Sequence, residues 1–591
     1  MAMHEEEVLG KAYDAVLMRR LLGYLRPYWR QVLLALVAIV SSSVLQLAQP
    51  YLMKVAIDDY ISAGNLQGLE RIAAIYLVVL ISSFLLEYLQ TWTLQITGQK
   101  IMFDMRMQIY EHLQRLDLQY FDRNPVGRLM TRVTTDVDVL NELFTAGVVS
   151  VFGDIFLLIG IMTVLAGMDW RLAVVAFTVL PLIALVTQWF RRNVRESYRN
   201  VRMWIARINS FLQEHITGMS TVQLFRRERR SLDAFQAVNQ GHRDANVDSI
   251  HYYAVFYPAI EVVGALSTAM IIWFGGRWVL GGTLSVGSLL AFLLYSQRFY
   301  RPISDLSEKF NILQSAMASS ERIFTLLDTP VAIVSPPVTL PRAAAPAPHH
   351  GHIVFDRVSF GYNAGDYVLR DVSFEVKAGE RVGIVGATGA GKSTIINLLL
   401  RFYDVTGGRI LVDGIDIRQM DMRELRRLFS LVLQDVHLFS GTIASNIRLG
   451  NLSIDDRRVK IAAASVHAGS FIEQLPGGYA TAVAERGATL SVGQKQLLSF
   501  ARALAFDPRI LVLDEATSSV DTETELLIQD ALHKLMASRT TIAIAHRLST
   551  IQDMDKILVL HHGQLRESGT HQELLAKRGI YYKLFQLQYR D

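Results

Sequence analysis

The densest chemistry in the sequence is the run Gly386-Ala387-Thr388-Gly389-Ala390-Gly391-Lys392-Ser393. Glycines at this spacing, ending in Lys-Ser, suit a loop whose backbone N–H groups wrap phosphates. The run follows an apolar strand-like stretch, Val382 to Val385, and opens a helical one, Thr394 to Leu400. A helix starting there adds the positive end of its dipole. Lys392 is expected to reach the terminal phosphates, and the Ser393 hydroxyl to ligate Mg2+. Farther on, Ile510 to Leu513 runs into two carboxylates, Asp514 and Glu515. Asp514 is expected to hold Mg2+ through water, and Glu515 to polarise an attacking water. A third segment, Leu490-Ser491-Val492-Gly493-Gln494, precedes a helical stretch, Lys495 to Ala505. Ser491 fits the N-cap, and a serine with a glycine amide at a helix start makes an anion site. Taken alone, that segment reads as an ordinary capped helix.

Something must hold these residues and give them work to do. The chain has 591 residues, enough for two or three domains, with 51% apolar and 19% charged residues. Its net charge of +4 makes no electrostatic case for nucleic acid, and the absence of cysteine excludes disulfides and thiolate chemistry. Six stretches are apolar enough to cross a bilayer: 32–49, 72–94, 143–168, 172–190, 254–276 and 284–297. The third and fourth form a tight hairpin near Asp169. Val16 to Trp29 reads as an amphipathic helix, either lying in the membrane interface or packed on protein. Met1 to Lys11 is acidic and lacks the layout of a cleaved leader, so the first span is expected to be retained.

Arginine placement orients the spans. Ten arginines lie between Arg191 and Arg230, and Lys100 with Arg106, Arg115, Arg123, Arg128 and Arg132 follow the second span. The other connections carry almost none. Basic connections stay cytoplasmic, so both termini are expected inside. Six prolines between Pro330 and Pro348 mark a linker, after which short strands alternate with helices.

In this order, loop, signature and Asp-Glu strand make the chain resemble an ABC transporter subunit of the exporter type, from about Arg19 to the C-terminus. The fold expected is an all-α six-helix membrane domain (1–328), a linker (329–350) and an α/β P-loop NTPase nucleotide-binding domain (351–591). The resemblance implies ATP with Mg2+, with Gly386, Ala387, Thr388, Gly389, Ala390, Gly391, Lys392, Ser393 and Thr394 as the phosphate loop. It implies that Tyr362 stacks on adenine and that Gln434 senses Mg2+. It makes His546 the γ-phosphate switch, places Ser519 to Asp521 between the two sites, and sets Ala484 to Gly487 against the cytoplasmic helices. Ser491, Gly493 and Gln494 would bind ATP held by a second half-transporter. Leu116 to Gly127 and Leu212 to Ser220 resemble the family's two coupling helices.

One position departs from the family. Val492 stands where its signature usually has glycine, which favours a heterodimer over a homodimer. Among the carboxylates in the spans, Glu87, Asp154 and Glu261, the alternatives are a cation-accepting cavity and structural pairing. Tyr252, Tyr253, Phe256 and Tyr257 line a pathway or merely pack. The reading preferred is ATP-driven export of a hydrophobic or amphipathic compound, drug or lipid, across a bacterial cytoplasmic membrane; a lipid or lipid-linked glycan flippase is the alternative. The six spans argue against an ABC ATPase acting on DNA or ribosomes. Glu515 and His546 argue against a channel that uses ATP only as a gate.

Overall fold

The computed structural model describes residues 14–336, 351–363, 365–514, 522–544 and 551–588; the side chains at 146, 148, 149, 300–308, 310, 311, 485, 522, 523 and 588 lie outside the description, as do Glu515, Ser519, Asp521 and His546. The chain divides into two compact units. One holds the residues up to Leu113 and Gly127–Thr329; the other holds Gln114–Val126 and the chain from Pro330 onward.

The first unit is helical throughout. α1 (Ala15–Gly23) starts where the Asp14 carboxylate accepts from Val16 N and Leu17 N. The stretch expected as one helix from 16 to 29 is broken, because Pro27 starts a separate short turn, Arg26–Tyr28. α1 packs on protein along one face: Leu21 is buried, and Arg20 forks onto Asp328 at 2.6 and 2.8 Å with its guanidinium 4.1 Å from the Phe324 ring centre.

α2 (Trp29–Val55) and the fifty-residue α3 (Leu66–Arg115) follow. After the short α4 (Leu118–Arg123), which belongs to the other unit, come α5 (Val126–Val133), α6 (Thr135–Glu142) and α7 (Val148–Met168). The hairpin near Asp169 forms as expected: its carboxylate caps α8 (Trp170–Phe177) by accepting from Arg171 N and Leu172 N. α9 (Leu180–Thr217) and α11 (Glu228–Met270) are long enough, at 38 and 43 residues, to run well beyond a bilayer. They pair with each other. Phe190 stacks on Phe256 at 4.1 Å, Tyr198 meets Tyr253 hydroxyl to hydroxyl at 2.9 Å, and Trp189 lies edge-on to Tyr252. These aromatics therefore pack the helix pair.

The second expected coupling segment needs correction. Leu212 to Thr217 is simply the end of α9; Gly218 ends it, and the short helix is α10 (Met219–Leu224). α12 (Gly276–Leu280) and α13 (Val286–Leu327) complete the unit. Among the described residues five segments are long and apolar enough to cross a membrane: Arg26–Ile61, Leu66–Arg115, Val126–Met168, Trp170–Thr217 and Glu228–Leu280. The sixth expected span, 284–297, falls on α13.

Helix α13 carries several of the polar contacts of this unit. Its start is capped by Asp58, which accepts from Ser285 Oγ at 2.5 Å and Gly287 N at 2.8 Å. Its Lys309 pairs with Asp154, a partner the sequence reading did not name. Lower down, buried Asp136 accepts from Ser319 Oγ at 3.0 Å and from Arg322 Nε at 3.0 Å and Nη2 at 2.5 Å.

Pro50, inside α2, has no N–H to give the carbonyl four residues earlier. That carbonyl belongs to Gln46, and Arg298 Nη1 of α13 donates to it at 2.6 Å while Nη2 donates to Gln49 Oε1 at 2.7 Å. In a bilayer an orphan carbonyl has no water to turn to.

The second unit has two main sheets. β1 (Ile353–Phe360), β2 (Leu369–Val376), β4 (Gly407–Val412) and β5 (Ile415–Asp416) form an antiparallel sheet in the order β2-β1-β4-β5. The six-stranded sheet runs β12-β11-β3-β10-β9-β6, from β3 (Arg381–Gly386), β6 (Phe429–Val432), β9 (Ile510–Asp514), β10 (Thr540–Ile544), β11 (Lys556–His561) and β12 (Gln564–Gly569). Only β12 is antiparallel. The four residues Val382–Val385 are buried without alternation, as a parallel strand covered on both faces requires. The start of the expected linker lies on this unit, with Ser335 Oγ accepting from Met422 N at 3.0 Å.

Replacing Arg298 with leucine should strand the Gln46 carbonyl and cost about 1–3 kcal/mol of stability. Arg298→Lys should recover part of that. Thermal unfolding of the purified protein in detergent checks both.

Candidate nucleotide site

Parallel strands deliver their C-terminal ends to one edge of a sheet, and this edge collects the expected site. Val432 pairs with Leu513, Asp514 with Ile544, and Ile544 with Ile384. Three consequences follow from the register. The loop after β3 is the Gly386 loop, β9 ends at Asp514, and Gln434 stands exposed two residues past β6. The chain leaving β10 after Ile544 leads to the expected His546, which lies outside the described residues.

The loop's shape follows from its glycines. Gly391 has φ +101° and caps α14 (Lys392–Leu399); a β-carbon there would also stand 2.6 Å from Leu369 Cδ2. A β-carbon on Gly386 would lie 2.3 Å from the Leu560 carbonyl oxygen. Lys392 is only 9% exposed. Its ammonium donates to the carbonyls of Gly386 at 2.8 Å and Ala387 at 3.1 Å. Burial pushes its pKa below the usual lysine value, and the Asp514 carboxylate pulls it partly back. Ala387, Thr388, Gly389 and Ser393 are exposed, while Ala390 and Thr394 are buried. The arrangement is a ring of backbone N–H groups at a helix start with a cation folded against it, which suits a phosphate chain.

Tyr362 stands beside this loop. Its hydroxyl lies 3.2 Å from Thr394 Oγ1, and its ring meets those of Phe360 and Tyr403 edge to face at 5.0 and 5.2 Å. Sequence reasoning missed Tyr403, because nothing in the spacing of Arg401-Phe402-Tyr403-Asp404 marks it.

The Ser491 segment opens α19 (Val492–Ala505) with a full capping box: Ser491 Oγ accepts from Gln494 N at 3.2 Å, and Gln494 Oε1 accepts from Ser491 N at 3.0 Å. Ser491 is exposed, Gly493 is buried, and Val492 is 56% exposed. Among the described residues no hydrogen bond joins 490–494 to 386–394.

A helical unit with five segments of membrane-crossing length, joined to a sheet that presents a phosphate cradle, defines the class: an ATP-hydrolysing membrane transporter subunit. Residues 32–303 match the ABC transporter transmembrane region family and residues 369–518 the ABC transporter family. The chain is 38% identical to the uncharacterized ABC transporter ATP-binding protein YknV of Bacillus subtilis, over 99% of this chain and 96% of that one. It is 36% identical to the ATP-dependent lipid A-core flippase of Syntrophus aciditrophicus, over 97% and 94%. The solved structure of a bacterial Atm1-family ABC exporter with ATP bound overlays with a TM-score of 0.74 at 29% identity, covering 98% of this chain and 100% of that one. The chain belongs to the ABC transporter family, as an exporter subunit whose ATPase domain is coupled to transport.

Gly391→Val should force a β-branched residue into the left-handed region, at about 1–2 kcal/mol, and press it on Leu369. Thermal shift with and without ATP should show both a lower midpoint and a smaller nucleotide-induced rise. Ser491→Ala should cost about 1 kcal/mol by loss of the cap, and its nucleotide-induced shift at the chain's own loop should be unchanged.

Proposed function

We propose that this chain is one half of a dimeric exporter that moves a hydrophobic or amphipathic compound outward across the cytoplasmic membrane. The observation that carries this reading is the separation of the Gly386 loop from the Ser491 segment: one chain offers each half-site once. Two chains facing each other would sandwich two nucleotides, each held by the loop of one and the signature of the other. The arginine-rich connections support a cytoplasmic nucleotide-binding unit.

Within a half-site, Lys392 exchanges its two carbonyl acceptors for oxygens of the β- and γ-phosphates. Tyr362 stacks on adenine. Glu515 polarises the attacking water, and His546 contacts the γ-phosphate. Ser393, Asp514 and Gln434 supply a hydroxyl, a carboxylate and an amide oxygen, the hard donors that Mg2+ prefers. Bound there, the ion neutralises charge that develops on the phosphates. From the partner side, Ser491, Gly493 and Gln494 donate to the γ-phosphate. Closing the sandwich would turn the membrane bundle outward, and hydrolysis would reset it.

The pairing of the halves turns on Val492. An exposed valine at the first position of α19 adds bulk where the partner's γ-phosphate would arrive. This supports a heterodimer in which this chain contributes the competent carboxylate, with a homodimer as the other outcome. On the substrate, the Lys309 pair supports the structural reading of Asp154 over a cation-accepting one, which suits an uncharged or amphiphilic cargo. The likeness to a lipid A-core flippase supports a lipid as cargo, which makes the flippase reading the second one.

Lys392→Ala should lower ATP turnover by roughly 10²-fold or more, the scale seen when one charge-stabilising donor is removed. Turnover that survives the change would sink the nucleotide reading. In proteoliposomes, the chain expressed alone should transport poorly and recover on addition of its partner. Full ATP-dependent transport by the chain alone would establish the homodimer.

A further inference from the structure

We propose that Tyr403 is a positioning residue that makes nucleotide-base binding depend on α4. The proposal rests on Tyr362 being the base-stacking residue.

Tyr403 lies between the end of α14 and β4 and is 5% exposed. Its hydroxyl donates to the Asp122 carboxylate of α4, and burial, helped by that bond, holds the phenol well above its usual pKa. Its ring meets Tyr362 at 89° and Phe360 at 61°, closing a three-ring cluster. α4 also reaches Tyr362 directly: Arg123 Nη2 donates to the Tyr362 carbonyl at 3.4 Å, and Gln119 Nε2 lies 3.5 Å from the same oxygen. Tyr362 is therefore fixed at three points: ring, carbonyl and hydroxyl. Two of the three lead to α4, and the third leads to Thr394 in the first turn after the phosphate loop.

A tyrosine on a free loop must be ordered before it can stack, and that ordering subtracts from affinity. Here Asp122 and Tyr403 do the ordering in advance. The phosphates are held by other groups, so the effect should fall on the base alone. The linkage is reciprocal: whatever α4 adds to base affinity, a bound base returns to the seating of α4.

The test compares a ligand that has a base with one that lacks it, on the full chain. Calorimetry gives the Kd of MgADP and of magnesium pyrophosphate. Tyr403→Phe keeps the ring and should weaken MgADP roughly fivefold, the scale of one net hydrogen bond, while pyrophosphate stays unchanged. Asp122→Ala, which removes the acceptor, should do the same, and the double variant should lose little more than either single one. An equal loss for both ligands, or no loss for either, would overturn the proposal. Tyr362→Ala separates the two ideas. If it leaves MgADP binding intact, the stacking assignment itself is wrong. If it weakens MgADP while Tyr403→Phe and Asp122→Ala do not, stacking stands and the positioning role of Tyr403 is rejected.

Discussion

A lysine ammonium has to be kept nearly buried beside a loop that must stay open for phosphates. Taking such a charge from water is costly unless acceptors replace the solvent. The loop supplies them from its own backbone, through Gly386 and Ala387, and Asp514 adds a carboxylate field from the next-but-one strand. The cation is thus held ready by groups it can leave one at a time. The sheet is arranged around this need: Val382–Val385 are buried on both faces, so the strand is central, and β9 and β6, beyond β10, bring Asp514 and Gln434 to the same edge.

The helical unit meets a different constraint. Polar groups inside a lipid-facing bundle must be satisfied by the protein itself. Pro50 breaks the bonding of α2, and Arg298 of α13 repairs it. Asp154 and Asp136 find Lys309 and Arg322, both on α13. Three of the costliest groups in the unit are therefore answered by one helix. That helix leads toward Thr329, where the first unit ends. A change in its position would have to break or carry these contacts together.

How much of this was legible depended on the range of the interaction. The phosphate loop, its strand and helix, and the Ser491 cap are local, and sequence spacing located them to within two residues. The hairpin at Asp169, between the third and fourth spans, was equally plain, because a cap acts over two or three residues. Partners distant in sequence were illegible: Lys309 for Asp154 spans 155 positions, and Asp122 for Tyr403 spans 281. The break at Pro27 and the displaced α10 show a smaller failure. Amphipathic spacing runs through Pro27 while the backbone does not, and the resemblance that picked out Leu212 to Ser220 did not mark Gly218 as the end of α9.

The capping box at Ser491 has a chemical consequence for a shared site. Ser491 Oγ accepts from Gln494 N, which leaves its O–H free to donate. Gln494 Oε1 accepts from Ser491 N, which leaves its amide N–H groups free as well. The first N–H groups of α19 have no partner within the helix. Each side-chain oxygen of the box accepts one bond and the side-chain donors remain, an arrangement that suits an anion. On the proposed reading that anion is the γ-phosphate held by the other half. Val492 then matters by its volume, since its N–H is as available as a glycine's, and the side chain sets how closely the phosphate can approach.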